Sequence, residues 1–375
     1  MTITFFSNFL LHHQTPFCEA MVRHIGDGFR FVATEPIPEE RLEMGYENLE
    51  DAPYAVNAYR DEASYQEAMR LGYESDVVII GSAPDVFIEK RLAENKLTFR
   101  YSERFFKKFR WRFDPRVWRM RYKKDIRYRK KNLHMLCASA YTAPDCRFIF
   151  SYPNKTYQWG YFPVTETYES AEYLISHKKK NSLLWVGRMI DWKHPEAALT
   201  VAERLKKDGI EFELNMIGNG EMERYLKELI RSRGLEQQVR LLGSMPPESV
   251  RNYMGKADIY LFTSDRQEGW GAVLNEAMSS ACAVVACREI GSVPFLLKSG
   301  ENGLIYDKHG ANTLYDNVKR LIQDKNLRVR LQKNAYDTIK NVWNADAATE
   351  RLLCLIDCMQ KGEQTPYTDG PCSRC

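Results

Sequence analysis

Two glutamates with seven residues between them, Glu268 and Glu276, stand in the run DRQEGWGAVLNEAM. Eight positions is a little over two helical turns, but Gly269 and Gly271 place Glu268 in the loop before a helix that carries Glu276. There Glu268 stands near the free N–H groups of the helix start, beside any anion bound at that point. Carboxylates aimed into a cleft accept hydrogen bonds from the hydroxyls of a sugar or ribose. Earlier in the chain, SLLWVG runs into Arg188, with Lys193 five residues on and a helix starting near Pro195. Arg offers a forked donor set and Lys a point charge, so the two beside a helix N-terminus make an anion site. Two glycine turns complete the set. Gly218 and Gly220 in MIGNGE let backbone approach a ligand, and Gly291-Ser292-Val293-Pro294 opens a further short helix. Singly, each feature also reads as an ordinary surface cation, βα turn or helix-terminal acid.

The elements that must position these residues are short apolar runs alternating with amphipathic stripes. SLLWVG, FELNMIG, VRLLG, DIYLFT, AVVA and GLIY read as strands between Ser182 and Tyr306. Ala198, Val201, Ala202 and Leu205 follow helical spacing and stop at Gly209; Met222, Tyr225, Leu226 and Leu229 repeat it and stop at Gly234. Strands alternating with helices of this length predict βαβ units and a parallel sheet covered on both faces. A looser version of the rhythm predicts strands at Ile3–Phe6, Phe29–Ala33, Tyr54–Val56, Asp76–Ile80, Leu97–Tyr101 and Leu133–Ala138. The architecture expected is α/β, with two doubly wound Rossmann-like domains facing a cleft. An N-terminal domain takes 1–165 and a C-terminal domain 166–345. A helix over 346–361 packs back on the first domain, and a patternless tail over 362–375 is disordered. The stretch Tyr161–Lys180, with Pro163 and a Lys run, suits the linker.

The string VGRMIDWKHPEAAL, then MIGNGEMERYLKEL, then LLGSMPPESVRNYMGKADIYLFTSDRQEGWGAVLNEAMSSACAVVACREIGSVPFLLKSGENGLIYD resembles the C-terminal domain of retaining GT-B glycosyltransferases, glycosyltransferase family 4. The likeness covers residues 181–310. It implies that Arg188 and Lys193 bind the diphosphate of a nucleotide-sugar, UDP- or GDP-linked. Glu268 would contact the donor sugar near the reaction centre, and Glu276 the ribose. Gly187, Gly218, Gly269, Trp270 and Gly271 would line the donor pocket, with Ser244 and Met245 near the base. It further implies no metal or other cofactor for donor binding, and same-face transfer that retains the anomeric configuration. The expected product is a polysaccharide or a lipid-linked glycan.

The first domain departs from that family. The loop after its first strand reads Asn8-Phe9-Leu10-Leu11-His12-His13-Gln14 instead of a glycine-rich turn. A His-Asp expected after the fifth strand is replaced by Tyr101-Ser102-Glu103-Arg104. His12, His13 and Glu103 are therefore the acceptor-side candidates.

Charge singles out one further segment. Residues 100–131 hold fifteen Lys or Arg against Glu103, Asp114 and Asp125, a local +12 in a chain of net +4. Phe, Tyr and Trp are interleaved with them. A solvated loop, a nucleic-acid surface and a membrane-surface patch all use such residues. No nucleic-acid motif fits, and cations on anionic lipid with rings at headgroup level fit best. The expectation is a cytoplasmic protein, peripheral on the inner membrane face, whose acceptor is a glycan or a lipid-diphosphate-linked glycan. The N-terminus, MTITFFSNFLL, reads as a core strand and not a signal peptide. Nine scattered cysteines, several in apolar runs, argue against a disulfide framework; Cys372 and Cys375 form a CxxC with no second ligand pair. Two other functions stay open here. One is a GT-B nucleotide-sugar epimerase that uses water in place of an acceptor, and the other is an idle nucleotide-sugar- or RNA-binding protein.

Overall fold

The computed structural model describes residues 1–39, 48–164, 170–308 and 313–375. It forms two compact units, one of Met1–Val164 with Asn344–Cys375 and one of Thr165–Trp343. The boundary expected between 165 and 166 lies outside the described residues.

Unit 1 is built on seven parallel strands: β1 (Ile3–Ser7), β2 (Phe29–Ala33), β3 (Ala55–Asn57), β4 (Val77–Ile80), β5 (Thr98–Ser102), β6 (Leu133–Cys137) and β7 (Thr156–Gln158). Their spatial order is β3-β2-β1-β4-β5-β6-β7. Ile3 of β1 pairs with Phe29 on one side and Val77 on the other. Every residue of β1 and β4 is buried, as strands covered on both faces must be. One core cluster gathers Phe6, Val32, Ile80, Phe106 and Met135 under the helices.

Unit 2 carries six parallel strands: β8 (Ser182–Val186), β9 (Glu213–Ile217), β10 (Val239–Leu241), β11 (Ile259–Phe262), β12 (Ala283–Cys287) and β13 (Leu304–Tyr306). Their order is β10-β9-β8-β11-β12-β13. In each unit the chain fills one half of the sheet and then jumps to the other, so the order reverses between β1 and β4 and again between β8 and β11. Ligands of such sheets sit beyond the carboxyl ends of the strands at that reversal.

The chain returns to unit 1 through the helix Ala345–Lys361, capped by the Asn344 side chain on the Ala347 N–H. This helix packs against Thr15–Ile25, where Arg23 bridges Asp346 at 2.5 Å. The tail is a correction. Instead of being disordered, it lies along β7: the Gln158 N–H donates to Ser373 O, and the Cys372 N–H to Gln158 O, each at 2.8 Å. Unmatched backbone groups on an outermost strand reward such pairing. Cys372 is buried there and Cys375 is exposed. The stretch proposed as a linker is partly structured too, with a helix at Ala171–Ser176 capped by Ser170. Among the described residues, no helix is long and apolar enough to cross a membrane.

Candidate functional site

At the reversal point of unit 2, the loops after β8, β9 and β11 converge. Gly218, at φ +128°, lies so close to Gly187 that an added Cβ would sit 2.0 Å from the Gly187 carbonyl oxygen. Only glycine permits that approach. The Met189 N–H donates to Asn219 O at 2.7 Å and the Met222 N–H to Met189 O at 2.9 Å, which fastens the two loops together. The Gly218 N–H donates to Gly243 O at 2.8 Å, bringing Ser244 and Met245 alongside.

Lys193 sits in a single tight turn, Asp191–Lys193, ahead of the helix Pro195–Lys207. Its ammonium pairs with the Glu268 carboxylate, and both side chains are nearly covered, at 13% and 11% exposure. The Ser264 hydroxyl donates to the same Glu268 oxygen at 3.0 Å, and the Thr263 hydroxyl donates to Lys193 O at 2.7 Å. Two residues far apart in sequence are thus joined because β8 and β11 are neighbours. Gly271, at φ +82°, packs beneath the Phe262 ring and the Glu268 side chain. Arg188 is exposed, its guanidinium 5.9 Å from the Trp192 ring, against which the Lys193 ammonium also lies at 4.9 Å.

Glu276 lies in the first turn of the helix Val273–Ser279 and is half-buried. Burial pushes its carboxyl up to about 7, opposed by the Arg251 charge. Its carboxylate makes no hydrogen bond or ion pair among the described residues and is open to a hydroxyl donor. Trp270 is a correction. Its indole does not line the pocket but is fully buried, donating to Asn275 Oδ1 at 3.0 Å and packing on Trp343 at 5.7 Å.

Sequence reasoning missed His194. It occupies the left-handed region at φ +49°, where a side chain needs compensation. The ring lies 3.0 Å from Glu196, 3.4 Å from Asp265 and 2.7 Å from the Lys308 ammonium. The two carboxylates raise its pKa to about 9, with Asp265 the stronger influence. Asp265 also holds the turn through backbone, its N–H donating to Trp192 O at 3.0 Å. No sequence pattern announces this, because nothing local marks a histidine for positive φ.

In unit 1, His13 and Glu103 line one cavity of about 450 Å³ at the carboxyl ends of β1, β4 and β5. Glu103 accepts from the Tyr161 hydroxyl at 2.8 Å and pairs with Lys107 at 2.6 Å. His12 packs edge-on against His13 and is not part of the cavity wall. The basic segment divides in two. Arg100, Lys107, Arg112, Arg116, Arg121 and Arg127 pair with carboxylates. Lys108, Arg110, Arg119, Lys123, Arg129 and Lys130 are exposed, beside Phe109, Phe113 and Tyr122 at 58%, 70% and 59% exposure.

Residues 169–338 match the family model described as "Glycosyl transferases group 1". The D-inositol 3-phosphate glycosyltransferase of Corynebacterium diphtheriae is 33% identical over 177 residues, 45% of this chain and 40% of that protein. A Campylobacter jejuni enzyme is 29% identical over 178 residues, 48% of this chain and 47% of its own. Its name is N-acetylgalactosamine-N,N'-diacetylbacillosaminyl-diphospho-undecaprenol 4-alpha-N-acetylgalactosaminyltransferase. The chain thus spans less than half the length of these curated relatives. Over 95% of this chain and 100% of the other, it superposes on Anabaena HepE in complex with UDP, with TM-score 0.69 and 14% identity. The chain therefore has the GT-B fold, and residues 169–338 within its second unit are similar to the glycosyl transferases group 1 domain.

Proposed function

We propose that the chain transfers a sugar from a nucleotide diphosphate donor to a glycan or lipid-linked glycan acceptor, with retention of anomeric configuration. The observation that carries this reading is the Lys193–Glu268 pair at the β8/β11 reversal, inside the matched domain. A leaving nucleoside diphosphate gains negative charge as the glycosidic bond breaks, and a fixed ammonium stabilises it. When the diphosphate takes Lys193, the Glu268 carboxylate is released toward the hydroxyls of the donor sugar. Arg188, exposed and without a carboxylate partner among the described residues, closes on the diphosphate from the solvent side. Glu276 takes the ribose hydroxyls. The sugar becomes oxocarbenium-like, as in other glycosyl chemistry. The donor base is uracil or guanine, no metal is needed for donor binding, and unit 1 holds the acceptor.

The exposed cations and rings of 100–131 favour a second element of the same reading, peripheral attachment to an anionic membrane face on the cytoplasmic side. The lipid-diphosphate named in the Campylobacter relative supports an acceptor found at that surface.

The deciding experiment screens UDP- and GDP-sugars for a rise in thermal midpoint, then incubates the stabilising donor with lipid-linked acceptors. The expected product is a lengthened glycan whose new linkage keeps the donor's anomeric configuration by NMR. Epimerised sugar nucleotide without acceptor would move the reading to an epimerase, and binding without turnover would leave a binding protein.

A further inference from the structure

The two donor-side cations of unit 2 meet on one aromatic face. Trp192 stands in the turn Asp191–Lys193 and is half-buried. The Lys193 ammonium lies 4.9 Å from the centre of its ring and the Arg188 guanidinium 5.9 Å from the same centre. Both fall within the reach of about 6 Å at which the electron-rich face of an indole attracts a cation. The ring is itself held in place. The Asp265 N–H donates to Trp192 O at 3.0 Å, and the Thr263 hydroxyl donates to Lys193 O at 2.7 Å. The buried Trp185 indole N–H fixes that hydroxyl at 2.8 Å. The turn is thereby fastened to the segment after β11 that also carries Glu268. The Lys193 stem passes beside Gly187, where an added Cβ would come within 3.7 Å of its Cδ.

A ring serves a cation differently from a carboxylate. Glu268 neutralises Lys193 and must be displaced before an anion takes the ammonium. An indole carries no net charge, so it fixes where a cation sits and leaves the charge for the incoming anion. It also keeps water from one side of the cation, which strengthens attraction on the other. Arg and Lys are long and flexible, and ordering them when a ligand arrives costs affinity. Ordering them beforehand on a fixed ring removes part of that cost.

We propose that Trp192 is a positioning residue, whose indole face gathers Arg188 and Lys193 into one site for the two phosphates of a nucleoside diphosphate. This rests on the reading of those two cations as the diphosphate partners. Lys193 alone can meet a single phosphate, whereas two phosphates need the second cation brought to the first. The ring therefore sets the preference for a nucleoside diphosphate over the monophosphate of the same base.

The test measures binding of UDP, UMP, GDP and GMP to the full chain by calorimetry, in wild type and in variants at Trp192. Trp192→Leu should lose about fivefold or more in affinity for the diphosphate and less than about twofold for the monophosphate. Trp192→Phe keeps a ring face and should return to within about threefold of wild type. Trp192→tetrafluorotryptophan keeps the shape of the indole but withdraws electron density from its face. It should bind the diphosphate as weakly as Trp192→Leu, and it keeps the test readable if the leucine variant misfolds. A ring that only fills space would make the fluorinated residue silent, and wild-type affinity there overturns the assignment. Equal losses for diphosphate and monophosphate overturn it as well. So does tighter diphosphate binding in Trp192→Leu, since the ring would then compete with phosphate for the cations. The underlying reading fails separately. If Arg188→Ala/Lys193→Ala binds UDP and GDP as wild type does, or wild type binds neither, the diphosphate site is lost and the role of Trp192 with it. If that double variant binds more weakly while the Trp192 series stays flat, the cations keep their role and only the role of Trp192 falls.

Discussion

The Lys193 ammonium and the Glu268 carboxylate neutralise one another across the ends of β8 and β11, both almost out of reach of solvent. Any diphosphate that takes the lysine must first part this pair. Lys193→Ala is therefore expected to act twice. It removes one charge-assisted contact to UDP, weakening binding by about 1.5 to 3 kcal/mol. It also leaves Glu268 buried without its partner, lowering the thermal midpoint of the free protein. Calorimetry and thermal melts on one sample check both; unchanged UDP affinity would remove Lys193 from the diphosphate site.

Glu268→Gln and Glu276→Gln should part by role. Glu268→Gln should lower turnover far more than UDP affinity, because its partner is the sugar. Glu276→Gln should weaken UDP binding itself. Wild-type turnover in both variants would end the role assignment.

Glu276 also makes a prediction about pH. Its carboxyl is raised from 4.5 to about 7 by burial, so the folded protein holds this proton more tightly than the unfolded chain. The resulting stability is full below pH 4.5 and is lost as pH rises through 7. Glu276→Gln should then be more stable than wild type at pH 8, by about 1 to 2 kcal/mol after allowing for partial solvent access. Denaturant melts at pH 5 and pH 8 would show it. A variant that binds UDP worse yet resists urea better is the expected signature.

His194 runs on the same sign for a different cause. Its pKa rises from 6.5 to about 9 through Asp265 and Glu196, against the nearby Lys308. Its contribution is complete below pH 6.5 and disappears as pH climbs through 9. His194→Asn keeps a side chain that tolerates positive φ and should flatten the stability profile over that window. Equal slopes in variant and wild type would count against the charged His194 cluster.

For the membrane patch, the wild type should sediment with vesicles containing anionic lipid, much less with neutral ones, and less as salt rises. Each engaged cation contributes about 1 kcal/mol. Reversing Lys108, Arg119, Lys123 and Lys130 to Glu should abolish association and leave UDP binding intact. Arg121 and Lys124 are unsuitable for this reversal, since both line the cavity and Arg121 is tied to Asp125. Continued pelleting of the reversed variant would return the segment to a solvated loop.

The strands of unit 2 are legible in the sequence because parallel strands covered on both faces appear as unbroken apolar runs, AVVA and DIYLF among them. Lys193 and Glu268 are each visible as chemistry-bearing residues. Their contact is not, because it depends on two strands adjacent in space but not consecutive in sequence. β7 escapes notice because Thr-Tyr-Gln is short and polar, and the tail escapes because backbone hydrogen bonds, not an apolar pattern, hold it. Trp270, flanked by glycines, reads as a pocket residue. Its inward turn is set by Trp343, seventy-three positions later in the chain. The basic run reads as one patch, although Asp85, Asp125 and Asp145 draw three of its five paired arginines inward.

Unit 1 begins ahead of unit 2 in the sequence but is finished only by the helix Ala345–Lys361 and the strand-like tail against β7. During synthesis, the continuous unit Thr165–Trp343 can complete its fold while its predecessor still waits for a missing piece. The unit begun first is therefore the last to close. A fragment of residues 1–164 would emerge with the part of Thr15–Ile25 that meets Ala345–Lys361 uncovered, whereas 165–343 holds a continuous unit. Nascent chains in which Ala345–Cys375 has not yet emerged should accordingly be the ones that need a chaperone's cover.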